Sequence, residues 1–385
     1  MSIFLSTIAF ILALVHYYCY DRLCFYFDLN GAARIVAAGI ATLLWFFSFT
    51  SLPLMWALPL KQEKRVAWIV FPWLGILLLL FTTLLAGDVL TGTLFLSVGW
   101  REPPDAWQAT KEMTGVAIVA VAGTLSLIAL YKGLRPVPVK RVDVTLRRLP
   151  EAFDGFHIVQ LTDLHIGPMI GGRWLARVVE QTNALKPDLI AITGDLVDGS
   201  VDDLAEAASA LKDLRAKHGV YFVTGNHEHY SGAAAWTAYL QSLGIRVLTN
   251  ERVTLTKNSA ALDLAGVEDF DSHRFPGHGP DLGTALEGRD PETPVVLLAH
   301  QPAAVAEAAE MGVDLQLAGH THGGQIRPFD LAVKLRQPYV KGLHHITGSN
   351  TKIYISSGTG YWGPPMRLGT TSEITSLRLL KEVQN

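Results

Sequence analysis

Leu315-Gln316-Leu317 is followed almost at once by Gly319-His320-Thr321-His322-Gly323-Gly324-Gln325, and this stretch sets the pattern from which the fold is read. An apolar run too short for a helix ends in a glycine-rich polar turn carrying two imidazoles. The same unit recurs upstream. His157–Leu161 leads into Thr162-Asp163-Leu164-His165, and Leu189–Ile192 into Gly194-Asp195-Leu196-Val197-Asp198. Val220–Val223 leads into Gly225-Asn226-His227-Glu228, and Val295–Leu298 into Ala299-His300. Helical patterns lie between several of these runs, at Trp174–Leu185, Leu204–Lys217, Ala233–Leu243 and Ala303–Met311. Strand–helix alternation predicts α/β layering, and in such sheets sites gather beyond the carboxyl ends of the strands. Every polar cluster just quoted stands at such an end. Pro136 and Pro138 break any preceding helix, and Val142, Val144 and Leu146 alternate as a half-buried strand. Residues 270–294 are rich in Gly, Pro and Asp and predict a long surface loop.

Upstream of this region the composition changes. The chain has 385 residues and 67 charged side chains (32 Lys and Arg, 35 Asp and Glu), of which 15 fall in residues 1–133 and 52 in the remainder. Four apolar runs approach or exceed the ~20 residues that span a bilayer as helix: about 3–20, 35–58, 66–86 and 113–131. Tyr17, Tyr18, Tyr20, Trp56 and Trp100 crowd the run ends, as an interfacial aromatic belt requires. Val89–Val98 is apolar but short and reads as an interfacial segment, with Asp88 closing the third span. No basic residues precede the first run, so it does not read as a cleaved signal peptide. The expected organisation is a transmembrane region over 1–133, a linker and first strand over 134–155, and a globular domain over 156–385. Disorder and a purely soluble enzyme are excluded. With a net charge of −3 no basic field recruits nucleic acid, and Cys19 and Cys24, the two cysteines, provide neither a disulfide framework nor a thiolate zinc site.

Orientation follows from Lys and Arg near the span ends. The first connection carries Arg22 and Arg34, the second Lys61, Lys64 and Arg65, and the third Arg101 and Lys111. After the fourth span come Lys132, Arg135, Lys140, Arg141, Arg147 and Arg148. The second connection and the segment after the fourth span are the more basic. The expectation is a multi-pass protein of the cell membrane, N-terminus inside, with the globular domain cytoplasmic. The last basic cluster also suits contact with anionic headgroups.

Seven residues of the polar clusters carry the chemistry: Asp163, His165, Asp195, Asn226, His300, His320 and His322. Oxygen and imidazole donors suit Mn, Fe, Zn or Co. Asp163/His165 and His320/His322 are spaced i, i+2, so in extended chain both members of each pair point to one side. Four imidazoles, two carboxylates and an amide can hold two divalent ions if one carboxylate bridges. Two such ions bring four positive charges and Asp163 and Asp195 remove two, an excess that draws a phosphate anion and lowers the pKa of bound water.

The ordered set Asp-x-His, Gly-Asp-x-x-Asp, Gly-Asn-His-Glu, His, Gly-His-x-His resembles the calcineurin-like metallophosphoesterase superfamily over about residues 140–380. Gly-His-Thr-His-Gly-Gly-Gln together with Ser356-Ser357-Gly358-Thr359-Gly360 and Pro365-Met366-Arg367 looks like the branch of transmembrane proteins with a metallophosphoesterase domain. Some relatives of that branch are UDP-2,3-diacylglucosamine pyrophosphohydrolases of lipid A synthesis. The resemblance implies a four-layer α/β/β/α sandwich and two divalent ions, manganese foremost. It assigns Asp163, His165, Asp195 and His322 to one ion and Asp195, Asn226, His300 and His320 to the other. It makes His227 the general acid and Asp198 the group that orients it. His229 stands where relatives usually carry an aromatic residue. The implied substrate is a phosphoester or pyrophosphate, with a phosphorylated lipid or nucleotide-lipid such as UDP-2,3-diacylglucosamine as the sharpest form. A transporter or sensor with a regulatory phosphoesterase domain is the rival reading.

Other signals are weaker. Gly358-Thr359-Gly360-Tyr361-Trp362-Gly363 matches a dinucleotide fingerprint, but Pro364-Pro365 follows where a helix must begin. His157, His218, His273, His278, His344 and His345 lack ligand spacing and read as surface or supporting residues.

Overall fold

A computed structural model describes residues 2–55, 57–98 and 104–382. Trp56, Trp100 and Arg101, used above for the aromatic belt and for orientation, lie outside the described residues. The chain divides into two compact units, Met1–Leu134 with Gly363–Leu368, and Arg135–Trp362 with Gly369–Asn385.

The first unit holds four helices: α1 (Ser2–Tyr26), α2 (Gly31–Met55), α3 (Leu60–Val98) and α4 (Pro104–Leu134). All four are long and apolar enough to cross a membrane. Their large apolar side chains stay outward, as Ile35, Leu43, Met113 and Leu127 do, each at least 69% exposed. One expectation is corrected. Val89–Val98 is not a separate segment, because α3 runs unbroken through Asp88 to Val98. The Asp88 carboxylate accepts hydrogen bonds from Tyr18 and Tyr26 and pairs with Arg22 Nε at 2.8 Å. A charge so satisfied does not force the helix to end.

The second unit is built on twelve strands: β1 (Val139–Leu146), β2 (His157–Leu161), β3 (Leu189–Thr193), β4 (Val220–Val223), β5 (Arg246–Val247), β6 (Glu251–Lys257), β7 (Ala260–Gly266), β8 (Val295–Leu298), β9 (Leu315–Ala318), β10 (Gly342–His345), β11 (Lys352–Ile355) and β12 (Ile374–Lys381). They form two six-stranded mixed sheets, in the orders β1-β12-β2-β3-β4-β5 and β10-β11-β9-β8-β7-β6. β2, β3, β4 and β5 run parallel, as do β7, β8, β9 and β11. Val144, Leu189, Val223 and Leu377 of one sheet share a buried core with Leu264, Val296, Leu317 and Tyr354 of the other. The outer face of the second sheet packs Ala265, Val295 and Leu297 against Leu282 and Leu286 of α9 (Leu282–Leu286) and Ala308 of α10 (Val305–Glu310). The first sheet is flanked by the amphipathic α5 (Gly172–Ala184) and α6 (Val201–Ala208). The layering is thus α/β/β/α. Strands buried on both faces explain the continuous apolar runs of β3, β4, β8 and β9.

Two sequence expectations change here. The helix expected over Leu204–Lys217 stops at Ala208 and tightens to a 3-10 turn over Ser209–Asp213. Residues 270–294 are not a bare loop. They contain a 3-10 turn at Phe270–Arg274 and α9, whose apolar side chains close the core.

Candidate metal centre

Five parallel strands deliver the site, each from its carboxyl end. β2 leads to Asp163 and His165, β3 to Asp195 and Asp198, and β4 to Asn226 and His227 at the start of α7 (Asn226–Ser231). From the second sheet β8 leads to His300 and β9 to His320 and His322. The i, i+2 argument from extended chain does not hold. Asp163, His165, Asp195, His320 and His322 all have φ between 49° and 67°, in the left-handed region. Each such residue costs about 1–2 kcal/mol without glycine, and such strain gathers at functional sites. The backbone hooks at each strand end, and the hooks turn the side chains inward. His320 and His322 consequently separate, His320 facing His300 with ring centres 5.1 Å apart and His322 facing His165 at 5.0 Å.

Ligand-capable atoms fall into three overlapping groups whose members all lie within 4.8 Å of one another: Asp163/His165/His322, Asp195/His300/His320, and His165/Asp195/His227. Asp195 and His165 join them. Asp195 Oδ2 lies 3.1 Å from His300 Nε2 and 3.9 Å from both His165 Nε2 and His227 Nε2. His322 Nε2 is 3.0 Å from His165 Nε2 and 3.4 Å from Asp163 Oδ1.

The tautomers follow from the hydrogen-bond partners. His165 Nδ1 and His227 Nδ1 stand 2.8 and 2.7 Å from Asp198 Oδ1, and His300 Nδ1 is 2.7 Å from the Thr193 carbonyl. Carboxylates and carbonyls only accept, so each Nδ1 carries the proton and each Nε2 faces the centre. His300 Nε2 is buried and not aligned for a hydrogen bond, and Asn226 Oδ1 is buried with no partner. An orphaned acceptor such as Asn226 Oδ1 is costly unless a cation meets it. The donor set fits two divalent ions.

Electrostatics fit as well. Burial opposes charge on Asp195, but His300 and His227 outweigh it and hold the carboxyl well below its usual range. The same contest at Asp198, won by His165 and His227, keeps that carboxylate ionised. Burial likewise opposes charge on His227, yet Asp195 and Asp198 raise its pKa to about 10. Burial, followed by His300, pushes His320 down to about 4, leaving a neutral imidazole.

Sequence reasoning quoted Glu228 within its motif but gave it no task. It is fully buried and accepts hydrogen bonds from the backbone N–H groups of Gly225, Asp195 and Leu196 at 2.6–3.0 Å. Glu228 therefore ties the β3 turn to the β4 turn. Gly225 permits their approach, since a Cβ there would stand 2.3 Å from Asp195 Oδ1. A buried carboxylate at the third position of a helix start was the available signal. His229 is buried and stacked on Phe275, with ring centres 5.5 Å apart. His278 hydrogen-bonds Glu268, and His344 lies on the edge strand β10 against Tyr339. Tyr230 and Trp362, both more than half exposed, flank His227 at 5.6 and 6.3 Å. The Gln325 amide holds the Trp362 backbone by two hydrogen bonds.

A metal-ligand cage at the carboxyl ends of strands from two packed sheets matches a known class, and the chain belongs to the calcineurin-like phosphoesterase family, whose model matches residues 156–324. Among its relatives is the bovine (Bos taurus) transmembrane protein with metallophosphoesterase domain, 42% identical over 272 residues, 68% of this chain and 61% of that protein. An uncharacterized metallophosphoesterase of Helicobacter pylori (strain J99) is 39% identical over 255 residues, 66% of this chain and 67% of that protein. Another from Aquifex aeolicus is 33% identical over 233 residues, covering 60% of this chain and 87% of that protein. The match thus spans about three-fifths of the bovine protein's length. The bovine and zebrafish (Danio rerio) relatives are named as transmembrane proteins, and this chain has four helices long and apolar enough to cross a membrane.

Proposed function

We propose that the protein is a multi-pass membrane hydrolase that cleaves a phosphoester or pyrophosphate bond at a dinuclear metal site, with its catalytic unit in the cytoplasm. The observation that carries this reading is the shared position of Asp195, whose Oδ2 lies within 3.9 Å of His165, His227 and His300. Asp163, His165, Asp195 and His322 would hold one ion, and Asp195, Asn226, His300 and His320 the other. Mn, Fe, Zn and Co all suit these donors, manganese being the first to try. The ions supply Lewis-acid charge to the phosphoryl oxygens and lower the pKa of bound water.

The remaining work falls to this chain's side chains. Asp198 fixes two rings at once, keeping His165 Nε2 as a ligand and His227 Nε2 facing the centre. His227 carries a proton on Nε2 and gives it to the departing oxygen. Tyr230 and Trp362 stand beside His227, the proton donor, at 5.6 and 6.3 Å. A hydrolase joined to its own apolar helices suits a lipid-linked substrate, of which UDP-2,3-diacylglucosamine is the sharpest form. The rival, a transporter or sensor with a regulatory phosphoesterase domain, predicts no turnover. The test is hydrolysis of bis-p-nitrophenyl phosphate by the full chain with added Mn²⁺. Chelator-sensitive turnover is expected, and a metal-loaded chain with none overturns the assignment. A mass-spectrometric comparison of lipid extracts from cells carrying wild type or Asn226→Ala then identifies the substrate, as a phospholipid intermediate accumulating with the variant. If no lipid accumulates, the substrate is not lipid-linked.

A further inference from the structure

The helical unit contains a second polar centre, and its depth can be read from the helix limits. The apolar helices long enough to span a bilayer run over Leu5–Tyr26, Leu60–Thr93 and Trp107–Leu134. Arg22, Asp88 and Lys111 stand only four to five residues inside these limits, about 6–8 Å at 1.5 Å per residue. All three limits lie at the same end of the unit, where α1 and α3 finish and α4 starts. That is headgroup depth. A cavity of about 270 Å³ opens there, lined by Arg22, Tyr26, Asp88, Trp107, Lys111 and Thr114 among others.

Its charges do not balance. Asp88 is the one carboxylate among the lining residues, and its oxygens are engaged by Tyr18, Tyr26 and Arg22 at 2.6–2.8 Å. Lys111 has no carboxylate partner among the described residues, and the neighbouring Glu112 accepts a hydrogen bond from Gln108. The Lys111 ammonium and the Arg22 guanidinium both lie over the Phe25 ring, at 5.1 and 4.3 Å. Two cations held over one ring beside a single, occupied carboxylate leave one net positive charge. An anion of one charge at headgroup depth completes it.

We propose that this cavity binds the phosphate of an anionic phospholipid. A zwitterionic headgroup fits less well, because its ammonium would find Asp88 already engaged. The site is separate from the metal centre in chemistry and in sequence. From Lys111 to the end of α4 at Leu134 is 23 residues of helix, about 35 Å at 1.5 Å per residue, so the cavity lies at the end of the unit away from where the chain leaves α4.

Native mass spectrometry of the detergent-solubilised full chain tests this, with dioctanoyl phosphatidylglycerol, dioctanoyl phosphatidylcholine and inorganic phosphate as separate probes. The expected result is one phosphatidylglycerol bound about five- to tenfold more tightly than phosphatidylcholine, the weight of one basic residue facing an anionic headgroup. Lys111→Glu removes the preference and Lys111→Arg keeps it. Lys111 makes no ion pair among the described residues; Lys111→Glu gives up only its contact with the Phe25 ring, which Lys111→Arg can keep, and thermal unfolding of both variants checks that they remain folded. Arg22 is left intact because it anchors Asp88. Equal binding of the two lipids by wild type, an unchanged preference in Lys111→Glu, or inorganic phosphate binding as tightly as the lipid would each overturn the proposal.

Discussion

Asp88 and Asp195 are both aspartates beside basic side chains, one in each unit, and they behave oppositely. Asp88 takes hydrogen bonds from two tyrosines at 2.6–2.7 Å and pairs with the Arg22 guanidinium at 2.8 Å on an unbroken helix. Asp195 sits on a left-handed residue, accepts the His227 backbone N–H on Oδ1, and faces three imidazoles with Oδ2 at 3.1–3.9 Å. Around it Asn226 Oδ1 is buried without a hydrogen-bond partner, and His300 Nε2 stands 3.1 Å from the carboxylate without hydrogen-bond alignment. A satisfied carboxylate holds its neighbours together. A strained one beside an orphaned acceptor has its geometry set for something else. That difference separates a structural charge from a candidate ligand.

The comparison can be broken most severely at Asp195. Asp195→Ala is expected to release metal, measured by elemental analysis. It should lower turnover by more than the roughly 10²–10³-fold lost with one electrostatic contact. Full turnover in that variant would remove the shared carboxylate from the account. His227→Ala separates holding metal from using it: metal content stays, while hydrolysis of substrates with poor leaving groups falls about 10²–10⁴-fold and activated aryl esters suffer less. Asp198→Asn weakens the orientation of His165 and His227 together, and its expected cost is about 10–100-fold in metal affinity by competition with a chelator. Asp88→Asn has the smallest effect and a different kind: about 1–3 kcal/mol of stability, from lost charge-assisted hydrogen bonds, seen by thermal unfolding in detergent. Metal content should not change. Loss of metal from that variant would show that the distinction between the two aspartates is wrong.

Much of this was legible beforehand. Apolar runs of about 20 residues can only be helices in a bilayer or a deep core, so the four helices were readable from composition. The short runs β2, β3, β4, β8 and β9 were equally plain, because strands buried on both faces need continuous apolar sequence. The hairpin of β6 and β7 was missed, although Asn258 and Ser259, both at positive φ, form its turn. So was β12, which carries Arg378 and Lys381 and finds its place only by pairing between β1 and β2. Val89–Val98 was misread because sequence shows a charge at Asp88 but not the three partners that reach it from α1.

The sequence alone determined which residues could offer ligand atoms and that each stands just after a strand, since residue type and hydrophobic run length are local properties. Only the tertiary structure decided how they are grouped. His320 and His322 are neighbours in sequence yet face His300 and His165 respectively. That separation comes from left-handed turns held in place by the packing of two sheets, by the His320 backbone N–H donating to Asp163 and by the Thr321 hydroxyl donating to the Val340 carbonyl. No periodicity in a single chain records an angle that distant strands impose.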